Sequence, residues 1–232
     1  MVCMAMALCV SCKKDNAEPS GGGNGGGNTG GGGGGTGSHE YVDLGLPSGL
    51  LWATCNVGAD SPDDYGDYFA WGETETKSDY NWDTYKWCNG DYHDLTKYCT
   101  DSHHGTVDNK TVLEPADDAA HVNWGGGWRM PTKDDWQELY DNCTWTWMSD
   151  GDVGGYRVTG SNGHSLFLPA AGYRIGASLN GAGSGGYYWS SSLDSSDPNG
   201  AYNVYFDSGD VYPRGDYNRC LGFAVRPVRA AR

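Results

Sequence analysis

The spacing of apolar and polar residues changes along the chain and marks out the elements. In residues 40–58, EYVDLGLPSGLLWATCNVG, the two classes alternate around LPSG, which predicts a β-hairpin with Trp52 turned inward. Residues 63–77, DDYGDYFAWGETETK, predict a short aromatic strand closed by Gly72. No period is sustained over residues 77–112, which are rich in Tyr, Trp, Asp, Asn and His and read as a long irregular insertion. EPADDAAHVN then predicts a short helix with Pro115 in its first turn, and the glycines of WGGGWRMP break it. The strongest helical signal follows. Thr132 is a good N-cap and Asp135 stands where a capping-box partner reaches back. Trp136, Leu139, Tyr140 and Cys143 recur at i, i+3, i+4 and i+7 as a buried stripe. Strand-like pieces complete the chain: GYRVTG, SLFLPAAGYR, GYYWSSS, AYNVYFDSG and GFAVRPV. In AYNVYFDS the period of two puts Tyr202, Val204 and Phe206 on one face and Asn203, Tyr205 and Asp207 on the other.

The N-terminus follows other rules. MVCMAMALCVSC is too short an apolar run to span a bilayer and matches the apolar segment of an export signal. It resembles a bacterial lipoprotein signal, which implies cleavage before Cys12 and lipid attachment to that thiol. Between Gly21 and Gly37 there are thirteen Gly with only Asn and Thr among them. Such a strip has no apolar surface to bury, and coil scaling gives residues 13–38 a reach of about 28 Å. The expected organisation is therefore a signal over residues 1–12, a tether over 13–38 and a single domain over 39–232.

Charge narrows the partners. Thirty Asp and Glu against fifteen Lys and Arg leave a net charge of −15. That argues against nucleic acid and against docking on anionic lipid through protein charge, leaving the lipid anchor as the membrane contact. Past the signal stand Cys55, Cys88, Cys99, Cys143 and Cys220. An oxidising compartment permits a Cys88–Cys99 bridge, while free cysteines acting as small buried apolar residues are the plainer reading.

GWRMPTKDDWQEL, followed downstream by GYYWSSS and GFAVRPV, resembles the Fibrobacter succinogenes major paralogous domain family. VDLGLPSGLLWATCNVGA, YGDYFAWGET and LPAAGYR match that domain in order, so the likeness covers residues 41–228. More distantly the chain is similar to the formylglycine-generating-enzyme and C-type-lectin-like superfamily. The resemblance implies an α+β, C-type-lectin-like fold: two helices, a small twisted and mostly antiparallel sheet, and long ordered loops. It also implies that Trp128 and Trp136 pack across the glycine turn, that Arg129 makes a structural salt bridge, and that Trp189 belongs to the framework.

Little in the sequence selects a reaction. The copper site of formylglycine-generating enzymes needs two cysteines a few residues apart, and the C-terminal half offers only Cys220, with Cys143 far upstream. Calcium-dependent lectins use a Glu-Pro-Asn loop, whereas Glu114 opens EPA. No cofactor is expected. The cluster Asp63, Asp64 and Asp67 suits either a structural calcium or a solvated acidic turn. Asp117, Asp118 and His121 share a helical face, as a metal pair or as a capping carboxylate with a hydrogen-bonded His. The segment from Trp189 to Cys220 stands apart, being dense in Tyr, Ser, Asn and Asp, the composition of adaptable binding loops. It is also where retroelement-diversified members of the superfamily vary.

The expectation is a non-enzymatic lipoprotein exposed on the outer membrane. Its ligand, a glycan or a protein, is expected at Tyr202, Tyr205, Asp207, Asp210, Tyr212, Arg214 and Tyr217. An enzyme acting on surface polysaccharide and a subunit of a surface fibre are the alternatives.

Overall fold

A computed structural model of the protein describes residues 39–149 and 153–231. The expected signal, Cys12 and the glycine tether lie outside the described residues.

The fold is β-rich. Strand β1 (Tyr41–Asp43) pairs with β2 (Leu51–Ala53), which also pairs with the C-terminal β11 (Val228–Arg229). A meander joins β3 (Thr144–Met148), β4 (Gly155–Thr159) and β5 (Ser165–Pro169), and β6 (Tyr173–Ile175) pairs with β7 (Ser178–Asn180). The largest sheet runs β10 (Val211–Asn218), β9 (Gly200–Asp207), β8 (Gly185–Leu193). Two α-helices, α1 (Ala119–Trp124) and α2 (Lys133–Asn142), and two 3-10 turns, Trp82–Thr84 and Pro115–Asp117, complete the described elements. Among the described residues, eleven strands in four small antiparallel sheets, with α-helices of six and ten residues, overturn the expected α+β lectin-like architecture. The physical reason is in the segments themselves. Only one stretch keeps helical spacing for ten residues, and the rest are short aromatic or β-branched runs cut by Gly and Asn, too short for helices and apt to pair as short strands or single bridges.

The expected first hairpin forms, with Trp52 fully buried. So does α2: the Thr132 hydroxyl accepts from Asp135 N at 3.1 Å, and the Asp135 carboxylate accepts from Thr132 N at 2.7 Å. Trp136 and Leu139 form its buried stripe. EPADDAAHVN instead splits into a 3-10 turn, Pro115–Asp117, and α1. Residues 63–77 make no strand. Phe69 contributes one bridge to Phe223, and Tyr68, Phe69, Ala70 and Trp71 are all buried. An element enclosed on every side shows no alternation and gains its backbone partners singly.

The β10–β9–β8 sheet separates two aromatic cores. Tyr188, Val204 and Phe206 face one, which contains Trp52, Trp136, Leu139 and Tyr156. Trp189, Leu193 and Ala201 face the other, with Trp71, Tyr98, Met130 and Phe223. Trp189 stacks on Phe223 at 4.0 Å and donates from Nε1 to Phe69 O at 2.8 Å. The rings expected to meet across the glycine turn do not pair with each other. Trp128 meets Trp124 at 5.2 Å, whereas Trp136 meets Trp52 at 4.7 Å and Tyr188. The helix turns Trp136 into the sheet, while the positive φ of Gly125, Gly126 and Gly127 folds Trp128 back onto α1.

The irregular insertion is part of the core rather than a loose loop. It supplies Tyr80, Tyr85, Leu95 and Tyr98 to the buried interior. Its backbone is held by carboxylates: Asp108 accepts from Tyr98 N, Cys99 N and Lys110 N at 2.9–3.1 Å. Two buried arginines serve the same purpose. Arg219 donates to the carbonyls of Lys97, Tyr98 and Pro198, and Arg226 to those of Ala53 and Thr54. A guanidinium carries five donors, enough to satisfy carbonyls that a loop-rich interior leaves outside any ladder.

Candidate ligand-binding face

The hairpin of β9 and β10 holds all seven residues expected to bind ligand, but divides them between its two faces. Tyr205 sits opposite Tyr187 on one side and Tyr212 on the other, so these three tyrosines form a row across the sheet. The Tyr187 and Tyr205 rings lie 4.7 Å apart, and Tyr205 and Tyr212 stack at 5.6 Å with 12° between planes. Tyr217 joins the same face through edge contacts with Tyr187 and Phe223. Tyr212 and Tyr217 are 50% and 41% exposed, and Tyr205 is half-buried between its neighbours.

Asp207 ends β9 beside this row. Its Oδ1 accepts from Gly209 N at 2.8 Å and from Asp210 N at 3.2 Å, closing the tight turn, and its Oδ2 accepts from the Tyr205 hydroxyl at 2.9 Å. Those three hydrogen bonds hold the Asp207 carboxyl below the usual carboxylate range. Asp210 thus serves the turn through its backbone. Burial and then the bond to Asp207 push the Tyr205 hydroxyl up to about 12.

Tyr202 and Arg214 point away from this face. The Lys133 ammonium lies 4.6 Å above the Tyr202 ring, and Arg214 donates to Asp134 at 2.9 Å. Both residues are occupied by the start of α2, which packs on the side of the sheet that carries Val204 and Phe206. The alternation of β9 had already placed Tyr202 with Val204. What the chain could not show was that α2 covers that side.

Between Tyr212 and Gly215 the pairing with β9 slips. The slip falls at Pro213, which has no N–H to give to a ladder. It tilts the outer edge of the hairpin and leaves Asn203 opposite Gly215. Asn203 is fully buried, and sequence reasoning put it on this face without singling it out.

The other groups of candidate residues have structural work. Asp118 caps α1, accepting from His121 N at 3.0 Å, and also accepts from Met130 N; His121 Nδ1 lies 3.3 Å from Trp128 O. Asp117 binds Lys97 and the Tyr98 hydroxyl. Asp64 takes the backbone N–H groups of Asp60 and Ser61. Among the described residues no group of three or more His, Cys, Asp or Glu is placed to hold a metal ion. His103 is exposed beside Asp101, and His104 is half-buried at 2.8 Å from Asn199. Cys88, Cys99, Cys143 and Cys220 are free thiols, so Cys88 and Cys99 are not bridged. A hollow of about 410 Å³ lies beside Glu73, Lys77 and Lys86, but Lys77 is already paired with Glu73 at 2.9 Å and with Thr84 O. A second, of about 260 Å³, is lined by Val112, Leu113, Asp118 and Trp128. No helix among the described residues is long and apolar enough to cross a membrane.

A family model described as a domain of unknown function (DUF8237) matches residues 145–228. That stretch runs from β3 into β11 and contains the whole tyrosine face. No curated protein and no solved structure matches the chain.

Proposed function

We propose that the protein is a ligand-binding module without catalytic activity, exported and tethered through Cys12, that takes a glycan or a protein on the Tyr205–Tyr212–Tyr217 face. The observation that supports it is the row of stacked tyrosines left open on a strand whose other side is packed into a core. Large apolar rings at the surface cost solvation unless something covers them. Tyrosine brings contact area with little rotamer entropy to lose and a hydroxyl for orientation. A shallow face gives modest affinity per copy, and many tethered copies on one surface raise it by avidity.

The experiment compares the full chain with the Tyr212→Ala/Tyr217→Ala double variant on a glycan array and on a panel of surface proteins. Both rings are half exposed, so the unfolding temperature should hardly move. Retention should fall by about tenfold or more, as expected when two central aromatic anchors are removed. Equal retention by the two chains removes the face from consideration, and turnover of a captured glycan would make the protein an enzyme.

A further inference from the structure

Asn203 is fully buried in the middle of β9, yet neither its side-chain oxygen nor its side-chain nitrogen has a hydrogen-bond partner. A buried amide that no protein group pairs is costly, and native proteins keep few such groups. Its surroundings explain why it stays. It lies on the tyrosine face, two residues before Tyr205, and opposite it stands Gly215, where an added Cβ would lie 3.1 Å from its Oδ1. The outer strand therefore has a notch over the amide.

Tyr217 closes that notch. In register Tyr217 faces Ala201 and Tyr187 faces Tyr205, yet the Tyr217 and Tyr187 rings meet at 5.7 Å. To do so the Tyr217 ring leans across β9 through the row of Asn203. Its outer side remains exposed, and it pivots on two side-chain torsions.

We infer that Asn203 is the polar floor of a sugar subsite roofed by Tyr217. The ring swings out, a hydroxyl of the bound sugar takes the Asn203 amide, and Tyr205 with Tyr212 stacks on the sugar's apolar face. This rests on the ligand-binding reading above and narrows its ligand to a glycan. The chemistry favours that choice. Asn offers an acceptor and donors side by side, and a pair of neighbouring ring hydroxyls both gives and accepts. A sugar ring also carries the flat C–H surface that a stacked tyrosine row fits. A protein side chain can also pair the amide, but it brings no flat C–H face to lie on the tyrosine row beside it.

The test follows the Asn203 side-chain amide by nitrogen-15 NMR, with the Asn203→Val variant assigning the signal. Methyl glucopyranoside, galactopyranoside and mannopyranoside are titrated into the full chain. At least one should shift the amide together with the Tyr212 and Tyr217 ring protons, and Asn203→Val should weaken that sugar by about tenfold, the usual loss when a buried hydrogen-bonding group is left without its partner. Because the amide has no partner in the free protein, Asn203→Val should unfold at the same temperature or higher, which a merely structural asparagine would not allow. Asn203→Ala gives the same readout should the larger side chain disturb the strand. A sugar that shifts the tyrosines and binds both variants as well as wild type leaves the face standing and overturns the role of Asn203. No response to any sugar, an amide that contacts only a long-lived water, or capture of proteins alone overturns it too.

Discussion

Arg129 donates to Asp135 Oδ2 at 2.7 Å, and the same oxygen accepts from Thr132 N at 2.7 Å. One carboxylate thus completes the cap of α2 and ties it to the segment that bridges to β11 through Arg129 and Val228. The Arg129 side chain is 40% exposed, so solvent discounts the ion pair and the cap carries most of the effect. Asp135→Ala should cost about 1–2 kcal/mol by urea unfolding. Asp135→Asn, which can still accept from Thr132 N, should cost less than half as much. Equal losses would mean that the charge, and not the cap, is what matters.

Arg226 is fully buried with no carboxylate among its hydrogen-bond partners. Among the described residues Asn56 is its one side-chain acceptor, at 2.8 Å from Nε, and Nη2 has none. Burial lowers the guanidinium to about 10. Removing the one side-chain acceptor leaves a buried charge still less compensated. Asn56→Ala should therefore destabilise by about 3 kcal/mol, with an unchanged urea m-value. A loss below about 1 kcal/mol would show that the carbonyls of Ala53 and Thr54 suffice.

At alkaline pH the tyrosines should dominate. Tyr98, Tyr188 and Tyr205 are each pushed up to about 12 from 10.0, burial being the leading cause. Tyr68, Tyr80, Tyr85 and Tyr187 rise as well. An acid whose folded pKa is raised gives stability that is complete below pH 10 and is lost as pH climbs through the folded value, because the native state then holds the extra proton. Arg226, lowered from 12.5, acts in the opposite sense over the same window, but it is one group against several. Cys88, Cys143 and Cys220, raised from 9.0 by burial, act in the same sense from a lower pH. Urea midpoints should therefore hold up to about pH 8, begin to fall near 9 and fall steeply between 10 and 12. A flat profile would show that the phenols ionise without unfolding the chain.

How far the chain announced all this depends on the range of the forces involved. Helix α2 was legible because Thr132, Asp135, Trp136 and Leu139 act within ten residues of one another. The two faces of β9 were legible for the same local reason. The buried run Tyr68 to Trp71 was not, because it is enclosed by residues from Tyr98 to Phe223 and carries no period of its own. Strand β3 was missed. Trp145 and Trp147 alternate with threonines there, but the segment follows directly on the helix with no Gly or Pro to mark the start of a new element. At the candidate site, composition pointed to the hairpin of β9 and β10, and the period of two to its two faces. The split that gives Tyr202 and Arg214 to α2, and the contacts of Tyr217 with Tyr187 and Phe223, depend on segments far apart in the chain.

Asp207 tunes the tyrosine row, and that can be measured without knowing the ligand. Burial is the first cause of the raised Tyr205 hydroxyl; the hydrogen bond to Asp207 and its charge come next. Asp207→Asn keeps an acceptor in the turn but removes the negative charge. The Tyr205 pKa should then drop from about 12 while staying above 10, since the burial remains. The ζ-carbon shift of Tyr205, followed by carbon-13 NMR from pH 8 to 12, reads this directly. Tyr98 and Tyr188, which titrate elsewhere in the core, provide the internal reference. Asp207→Ala should in addition loosen the turn, because the N–H groups of Gly209 and Asp210 lose their acceptor. Those two amides should then exchange with solvent faster than in Asp207→Asn. If Tyr205 keeps its pKa in Asp207→Asn, the 2.9 Å contact does not form in solution, and the ring is held by its tyrosine neighbours alone.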